Sequence, residues 1–259
     1  MTDEVVVGVD GSDRARTALA WGLQEARLRG GAVRPVTVWP EDGPPHAHDG
    51  GIGRPSVADF ERDVRSRMSA EAAEVAAATG CEAVPVHPEV RYGQPAQQLI
   101  DTAGDDGLLV VGSRGRGGLR GAVLGSVSQQ CAQYGRGPVV VVRDDSSHGA
   151  VLWQGAASRV VVGVDGSAGS VAALRFAAAE TRLRGGELHV VHAWQAVPTA
   201  RLKAFARAGF KRLGEERLEE GVKEVEKAGP SVAGAHLVEG RAADAILARF
   251  GHMPRDASQ

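Results

Sequence analysis

Aromatic residues make up only 4% of this 259-residue chain, so its cores have to be built from Val, Ala and Leu. Cysteine is almost absent. Cys81 and Cys131 are the two present; they lack metal-like spacing and read as buried, reduced thiols. Charge of one sign is also missing, with a formal net charge of −2, which excludes a global electrostatic pull toward nucleic acid or membrane. No apolar run approaches the ~18 residues that a membrane span needs. The opening MTDEVVVGVD runs straight into a strand and leaves no room for a signal peptide, so a soluble, cytoplasmic protein is expected. No lysine precedes Lys203. That excludes a Walker phosphate loop, in which Lys follows directly on the last glycine.

What the chain does have is a repeat. VVVGVDGS occurs at Val5–Ser12 and again at Val160–Ser167, 155 residues later. At the same offset EARLRGGAVRPVTVW (Glu25–Trp39) matches ETRLRGGELHVVHAW (Glu180–Trp194). RYGQPAQQLI (Arg91–Ile100) then matches VEGRAADAIL (Val238–Leu247) at an offset of 147. The domain is duplicated, and the second copy is eight residues shorter in its middle. The expected bounds are 1–144 for the first copy, 145–158 for a linker and 159–259 for the second.

In the first copy, short apolar runs alternate with helical segments. Strands are expected at Glu4–Val9, Ala32–Val38, Glu82–Val90, Leu108–Val111 and Pro138–Val142. Between them, helices are expected up to Arg29, where Gly30-Gly31 stops the first, and over Ala58–Thr79, Pro95–Thr102 and Ser126–Tyr134. Such alternation specifies a parallel α/β sheet that binds ligands at the carboxyl ends of its strands. Asp10, Val38 with Trp39, and Gly112 therefore share one sheet edge.

The stretch Val110–Gln130, VVGSRGRGGLRGAVLGSVSQQ, carries the chemistry. A buried strand, a glycine-rich turn with the spacing Gly112-x2-Gly115-x9-Gly125-Ser126, and a helix start together make a phosphate cradle. Glycines allow close approach, unpaired N–H groups face outward and the helix dipole favours anions. Arg114 and Arg116 can assist, and Ser126 can either cap the helix or reach a phosphate oxygen. Asp10 reads either as a ribose or metal ligand or as an Asx turn. A dinucleotide fingerprint is excluded because it belongs to a first βα turn. Neither a G-x-S-x-G elbow nor a credible triad is present. His46 and His48 with Asp42 and Asp49 have no rigid partner for a metal. Three arginines without an aromatic platform make nucleic acid a minor option.

The VVVGVDGS strand, the RLRGG–strand unit, G-x2-G-x9-G-S after VVGSRG and the closing PVVVVR resemble the universal stress protein family, in its ATP-binding branch. The resemblance spans Glu4–Arg143 and, in the second copy, Arg159 to about Arg249. It implies two tandem α/β domains, the first a five-stranded parallel sheet of order 3-2-1-4-5 with helices on both faces. It implies ATP with Mg²⁺, Asp10 near the ribose or adenine, and Val38 lining the adenine pocket. It places Val111, Gly112, Arg114, Gly115, Gly125, Ser126, Val127 and Ser128 around ribose and phosphates. Pairing of two first domains through the strand Pro138–Val142, as a homodimer, is a further implication, as is a regulatory role in stress response. The alternative is a nucleotide-independent interaction module. A nucleotide-hydrolysing or -transferring enzyme is disfavoured, since no general base or lysine is placed for one, and at most slow ATP hydrolysis is expected.

The second copy departs from this pattern. A strand at Val160–Val164, a helix over Ala168–Arg184, a strand at Glu187–Ala193, a long helix at about Arg201–Ala228, a strand at Ser231–Glu239 and a helix over Ala242–Arg249 are expected. Gly251–Gln259 then stands where the first copy has GDDGLLVVG, and it resembles neither strand nor phosphate loop. The expectation is a three-stranded copy with Asp165 but no phosphate cradle, binding ATP poorly or not at all. Its first strand would become an exposed edge.

Overall fold

The computed structural model describes residues 4–41, 56–115, 124–143, 159–195, 203–227, 232–244 and 246. The chain divides into two compact units, Met1–Leu152 and Trp153–Gln259.

In the first unit, β1 (Glu4–Gly8), β2 (Ala32–Trp39), β3 (Glu89–Tyr92), β4 (Leu108–Gly112) and β5 (Val139–Val142) form one parallel sheet of order β3-β2-β1-β4-β5. Its centre is the run VVV of β1. Val5, Val6 and Val7 are all buried, because a parallel sheet covered on both faces has no solvent side. Val5 and Val7 face α1 (Asp13–Arg29), and Gly22 of that helix lets it settle on the sheet: a Cβ there would stand 2.5 Å from Val7 Cγ2. Val6 points the other way. It joins Leu109, Val111, Leu99, Ile100 and Cys131 under α3 (Pro95–Ala103) and α4 (Ser126–Tyr134). α2 (Val57–Thr79) pairs with α1.

Local chemistry sets the helix ends. Ser12 caps α1 by accepting from Ala15 N at 3.2 Å, and Gly30 closes it at φ 68°; a left-handed stop of this kind suits glycine. α2 opens on a capping box between Ser56 and Asp59. That exchange, with Arg62 at 2.6 Å, holds the Asp59 carboxyl below its ordinary value.

The third strand differs from the expectation of Glu82–Val90. Pro35 of β2 and Pro85 lack N–H groups, and the parallel ladder needs the first just after the Val33–Val86 bridge and the second just before it. Val33 N donates to Pro85 O and His87 N donates to Val33 O, both at 2.9 Å, leaving a single bridge at Val86 before β3 starts at Glu89.

The second unit holds β6 (Arg159–Gly163), β7 (Glu187–Trp194) and β8 (Val232–Glu239), parallel in the order β6-β7-β8. α5 (Ala168–Arg184) and α6 (Lys203–Lys227) complete it, with Val162, Leu174, Leu188, Val190 and Val225 in its core. Residues 242–244 and 246 are helical. Among the described residues β6 pairs with β7 alone. Identical in sequence to β1 over VVVG, it buries only Val162 of that run. The same residues thus meet different surroundings. The linker 145–158 and the tail 251–259 lie outside the described residues.

Candidate functional site

β4 carries the chain out of the core at Gly112, where α1 passes so close that a Cβ would lie 2.8 Å from Arg14 O. Only glycine leaves room for that helix turn. Ser113 then clamps the two ends of the glycine-rich segment together. Its N donates to Val142 O at 2.8 Å, while its carbonyl accepts from Gly125 N at 2.8 Å and lies 3.0 Å from Ser128 Oγ. Ser128 Oγ is also 3.0 Å from Gly125 O, so its single proton is engaged within the loop. Ser128 is 2% exposed and works as a cross-link.

α4 begins with no side-chain cap. The first amides of a helix have no intrahelical acceptor, and here they mark a partly positive end. Ser126 at that end is exposed. Arg116, Gly117, Gly118, Arg120 and Gly121 of the same loop lie outside the described residues, as do Asp42, His46, His48 and Asp49.

Asp10 follows β1. Its Oδ1 accepts from Ser12 N at 3.0 Å and Ser12 Oγ at 2.6 Å, which is the Asx turn. Its Oδ2 lies against Gly115, where a Cβ would be only 2.5 Å away. The turn and a place at the site coexist, because Asp10 itself is exposed.

These pieces surround one cavity of about 680 Å³ at the carboxyl ends of β1, β2 and β4. All ten residues singled out from the sequence line it: Asp10, Val38, Val111, Gly112, Arg114, Gly115, Gly125, Ser126, Val127 and Ser128. Sequence reasoning missed much of the apolar wall, including Val9, Val36, Pro40, Leu99 and Leu124. Trp39 was placed on this edge but assigned no role. The signal for Val9 and Val36 was their position at strand ends. Leu99 carried no local signal, since it arrives from α3.

Sheet order arranges the lining. Val36, Val38 and Trp39 of β2 stand on one side, Asp10 of β1 in the middle, and Gly112–Gly115 with the start of α4 on the other. An apolar end, a carboxylate and an amide-rich end follow one another. Among the described residues, two lining side chains, Trp39 and Arg114, hold buried N–H donors, Nε1 and Nε, with no acceptor.

The corresponding turn of the second unit is built differently. Asp165 Oδ1 accepts from Ser167 N at 2.9 Å, and hydrogen bonding from Ser167 pulls its carboxyl down to about 2. The guanidinium of Arg217, from α6, donates to the main-chain carbonyl of Asp165. His192 stands at the place of Thr37. Thr37 Oγ1 donates to Val9 O at 3.1 Å, whereas His192 Nδ1 bonds Val164 O at 2.7 Å. Among the described residues no group of three or more His, Cys, Asp or Glu is placed to hold a metal. Among them, too, no helix is long and apolar enough to cross a membrane.

A repeated parallel sheet with its cavity at the strand ends and a glycine-rich β4–α4 loop defines a nucleotide-binding type of α/β fold. The chain belongs to the universal stress protein family, which matches residues 1–143 and 157–249, that is, two tandem domains of which the second is three-stranded. Universal stress protein Rv2623 of Mycobacterium tuberculosis is 30% identical over 243 residues, covering 90% of this chain and 78% of that protein. The crystal structure of a universal stress protein from Archaeoglobus fulgidus DSM 4304 aligns with a TM-score of 0.62 at 21% identity, over 96% of this chain and 82% of the other. A universal stress protein solved in complex with cAMP aligns over 54% of this chain and 95% of its own, with 25% identity and a TM-score of 0.40.

Proposed function

We propose that the first unit is a receptor for ATP with Mg²⁺, and that its occupancy is a regulatory signal in the stress response of a cytoplasmic protein. The observation that carries this reading is the order of the cavity lining. An apolar wall, a carboxylate and a run of helix-start amides beside Arg114 match a base, a ribose and phosphates in sequence. Arg114 on the lining supplies a cation for an anionic group. Among the described residues Asp10 is the one carboxylate on the lining, so Mg²⁺ would be held chiefly by the ligand's own oxygens with Asp10 beside them. The ion would neutralise phosphate charge.

Among the described residues the lining contains no Lys and no His, its carboxylate is engaged by Ser12, and Arg114 is its cation. Among them proton transfer has no dedicated residue. We read the unit as a binder whose hydrolysis is slow at most. In the second unit Arg217 and His192 crowd the end of β6, and we read that copy as nucleotide-free. β5 lies at the sheet edge with Val139, Val140 and Val141 half-buried, which supports strand pairing between two copies of the first unit.

The test is to denature the purified chain and identify any released nucleotide by chromatography. ATP or AMP is expected from the wild type and none from Gly125→Asp. Asp remains a good helix N-cap, so that variant keeps α4 while placing a negative charge at the cradle. Wild-type protein that releases nothing and takes up no Mg-ATP would leave the glycine loop as a turn and the protein as an interaction module.

A further inference from the structure

The two units hold their strands together differently at one equivalent place. In the first, Arg34 of β2 lies between Glu4 of β1 and Glu89 of β3, at 2.7 and 3.3 Å. The repeat puts His189 at the place of Arg34 and His236 at that of Glu89. The registers agree, since Val36 pairs with Glu89 as Val191 pairs with His236. An ion bridge between strands is thus replaced by two imidazoles.

His189 Nδ1 and His236 Nε2 are 3.1 Å apart, and the rings lie within 15° of parallel with centroids 5.4 Å apart. The centroid separation exceeds the N···N distance by about two ring radii, so both nitrogens lie on the line between the ring centres. The contact is a linear N–H···N bond rather than a face-to-face stack. A bulge makes room for it. Leu188 pairs with Val232 but His189 with Gly234, leaving Ala233 as the extra residue. A Cβ on Gly234 would stand 2.6 Å from His236 Nε2 and 2.7 Å from His189 Nδ1. Both rings are half-buried and so within reach of protons from water.

Charged groups meet the pair from β7 and β6. Glu187 Oε2 lies 3.5 Å from His189 Nε2, and Arg159 Nε lies 4.0 Å from the same carboxylate oxygen. α5 and α6 cover the other face of the sheet, where Leu188 and Val190 join their core and His192 bonds Val164 O. A carboxylate only accepts. Neutral His189 therefore carries its proton on Nε2, toward Glu187, and His236 Nε2–H donates to His189 Nδ1. One added proton is accommodated: His189 becomes imidazolium beside Glu187, and His236 turns to its other tautomer and accepts on Nε2. A second added proton leaves two cationic N–H groups facing each other. Rings apart in the unfolded chain have no such limit, so the folded chain binds fewer protons in acid. The contact therefore stabilises above the ordinary histidine range, near pH 6.5, and is lost as pH falls below it.

We propose that the His189–His236 contact is an acid-sensitive clasp between β7 and β8, releasing β8 when both rings are protonated. β8 is an edge strand of the second sheet, and its Val232 and Leu237 pack on the core of that unit. Release uncovers apolar surface there. The first unit, with Arg34 and Glu89 at this place, keeps its bridge through the same pH range. The clasp is independent of whether the first unit binds a nucleotide.

The experiment is hydrogen exchange of the full chain, wild type and His236→Gln, read by mass spectrometry at about pH 7.5 and about pH 5 and corrected for intrinsic rates. Gln can donate an amide N–H to His189 Nδ1 and stays neutral at both pH values. In the wild type, protection of the β8 amides is expected to fall about tenfold or more at the lower pH, the scale of one lost hydrogen bond, while β3 holds. In the variant β8 protection is expected to be nearly independent of pH. Equal β8 protection at both pH values in the wild type would overturn the inference. So would the same fall in the variant, which would move the sensitivity to His192. Should the variant fail to fold, an NMR titration of the wild-type imidazoles decides. Two separated steps shared by both rings are expected, and independent single steps at His189 and His236 overturn the clasp.

Discussion

The carboxylate of Asp10 rests against Gly115: a Cβ on that glycine would stand 2.5 Å from Asp10 Oδ2. Two segments about a hundred residues apart in the chain thus meet at the middle of the cavity. A side chain at position 115 has to displace the carboxylate. Gly115→Val is expected to leave the fold intact, because Gly115 is exposed and outside any element, and to weaken Mg-ATP binding about a hundredfold, or ~3 kcal/mol. Calorimetric titration beside a thermal melt checks both halves, and unchanged affinity would show that Asp10 and Gly115 are not part of the ligand's surroundings.

Ser128 ties the two ends of the loop by its bonds to Ser113 O and Gly125 O, each at 3.0 Å. Gly125 N still reaches Ser113 O at 2.8 Å when that hydroxyl is removed, so the loss is partial. Ser128→Ala is expected to lower unfolding free energy by ~1–2 kcal/mol, measured by urea denaturation of the ligand-free chain. A change of only a few tenths of a kcal/mol would mean that the hydroxyl contributes nothing to loop closure.

Both thiols are enclosed: Cys81 is 1% exposed and Cys131 is 0% exposed. Burial pushes the Cys131 thiol up to about 11, which leaves very little thiolate near neutral pH. Labelling by a disulfide reagent at pH 8 is expected to be slow in the folded chain and to reach both cysteines promptly in denaturant. Fast labelling of Cys131 before unfolding would contradict its place on the buried face of α4.

The second unit should respond to acid through Asp165. Its folded carboxyl titrates at about 2, below the ordinary 3.8, because Ser167 hydrogen-bonds the ionised form. Between those values the unfolded chain binds more protons than the folded one, so this contribution is present above about pH 4 and is lost as pH falls toward 2. Glu219 and Glu224, held below their ordinary values by Lys223 and Arg175 respectively, act in the same direction. Asp165→Asn is expected to flatten part of the acid limb of stability against pH. An acid limb identical to that of the wild type would remove Asp165 from this role.

Much of the fold was legible because periodicity and punctuation agreed. VVVGVDGS announced a buried strand and its capped helix, and Gly30 and Gly80 stopped helices where left-handed φ is needed. The repeat announced two units. β3 was misread because apolar character at Val84 and Val86 outweighed Pro85 on that segment and Pro35 on its partner strand, although missing N–H groups decide where a ladder can run. At the site, the glycine spacing and the strand-end rule marked the polar half of the cavity. The apolar half was less legible, since Leu99 reaches it from α3 and Leu124 from the far end of the loop. That the N–H groups of Trp39 and Arg114 have no acceptor among the described residues could not be read from sequence at all, because it is a property of packing.

The most direct test of the account is the stoichiometry of Mg-ATP binding to the full chain by isothermal titration calorimetry, with Gly125→Asp and Asp165→Ala as companions. The account expects one site per chain, abolished by Gly125→Asp and unaffected by Asp165→Ala. Two sites, or a single site that survives Gly125→Asp and is lost with Asp165→Ala, would contradict it.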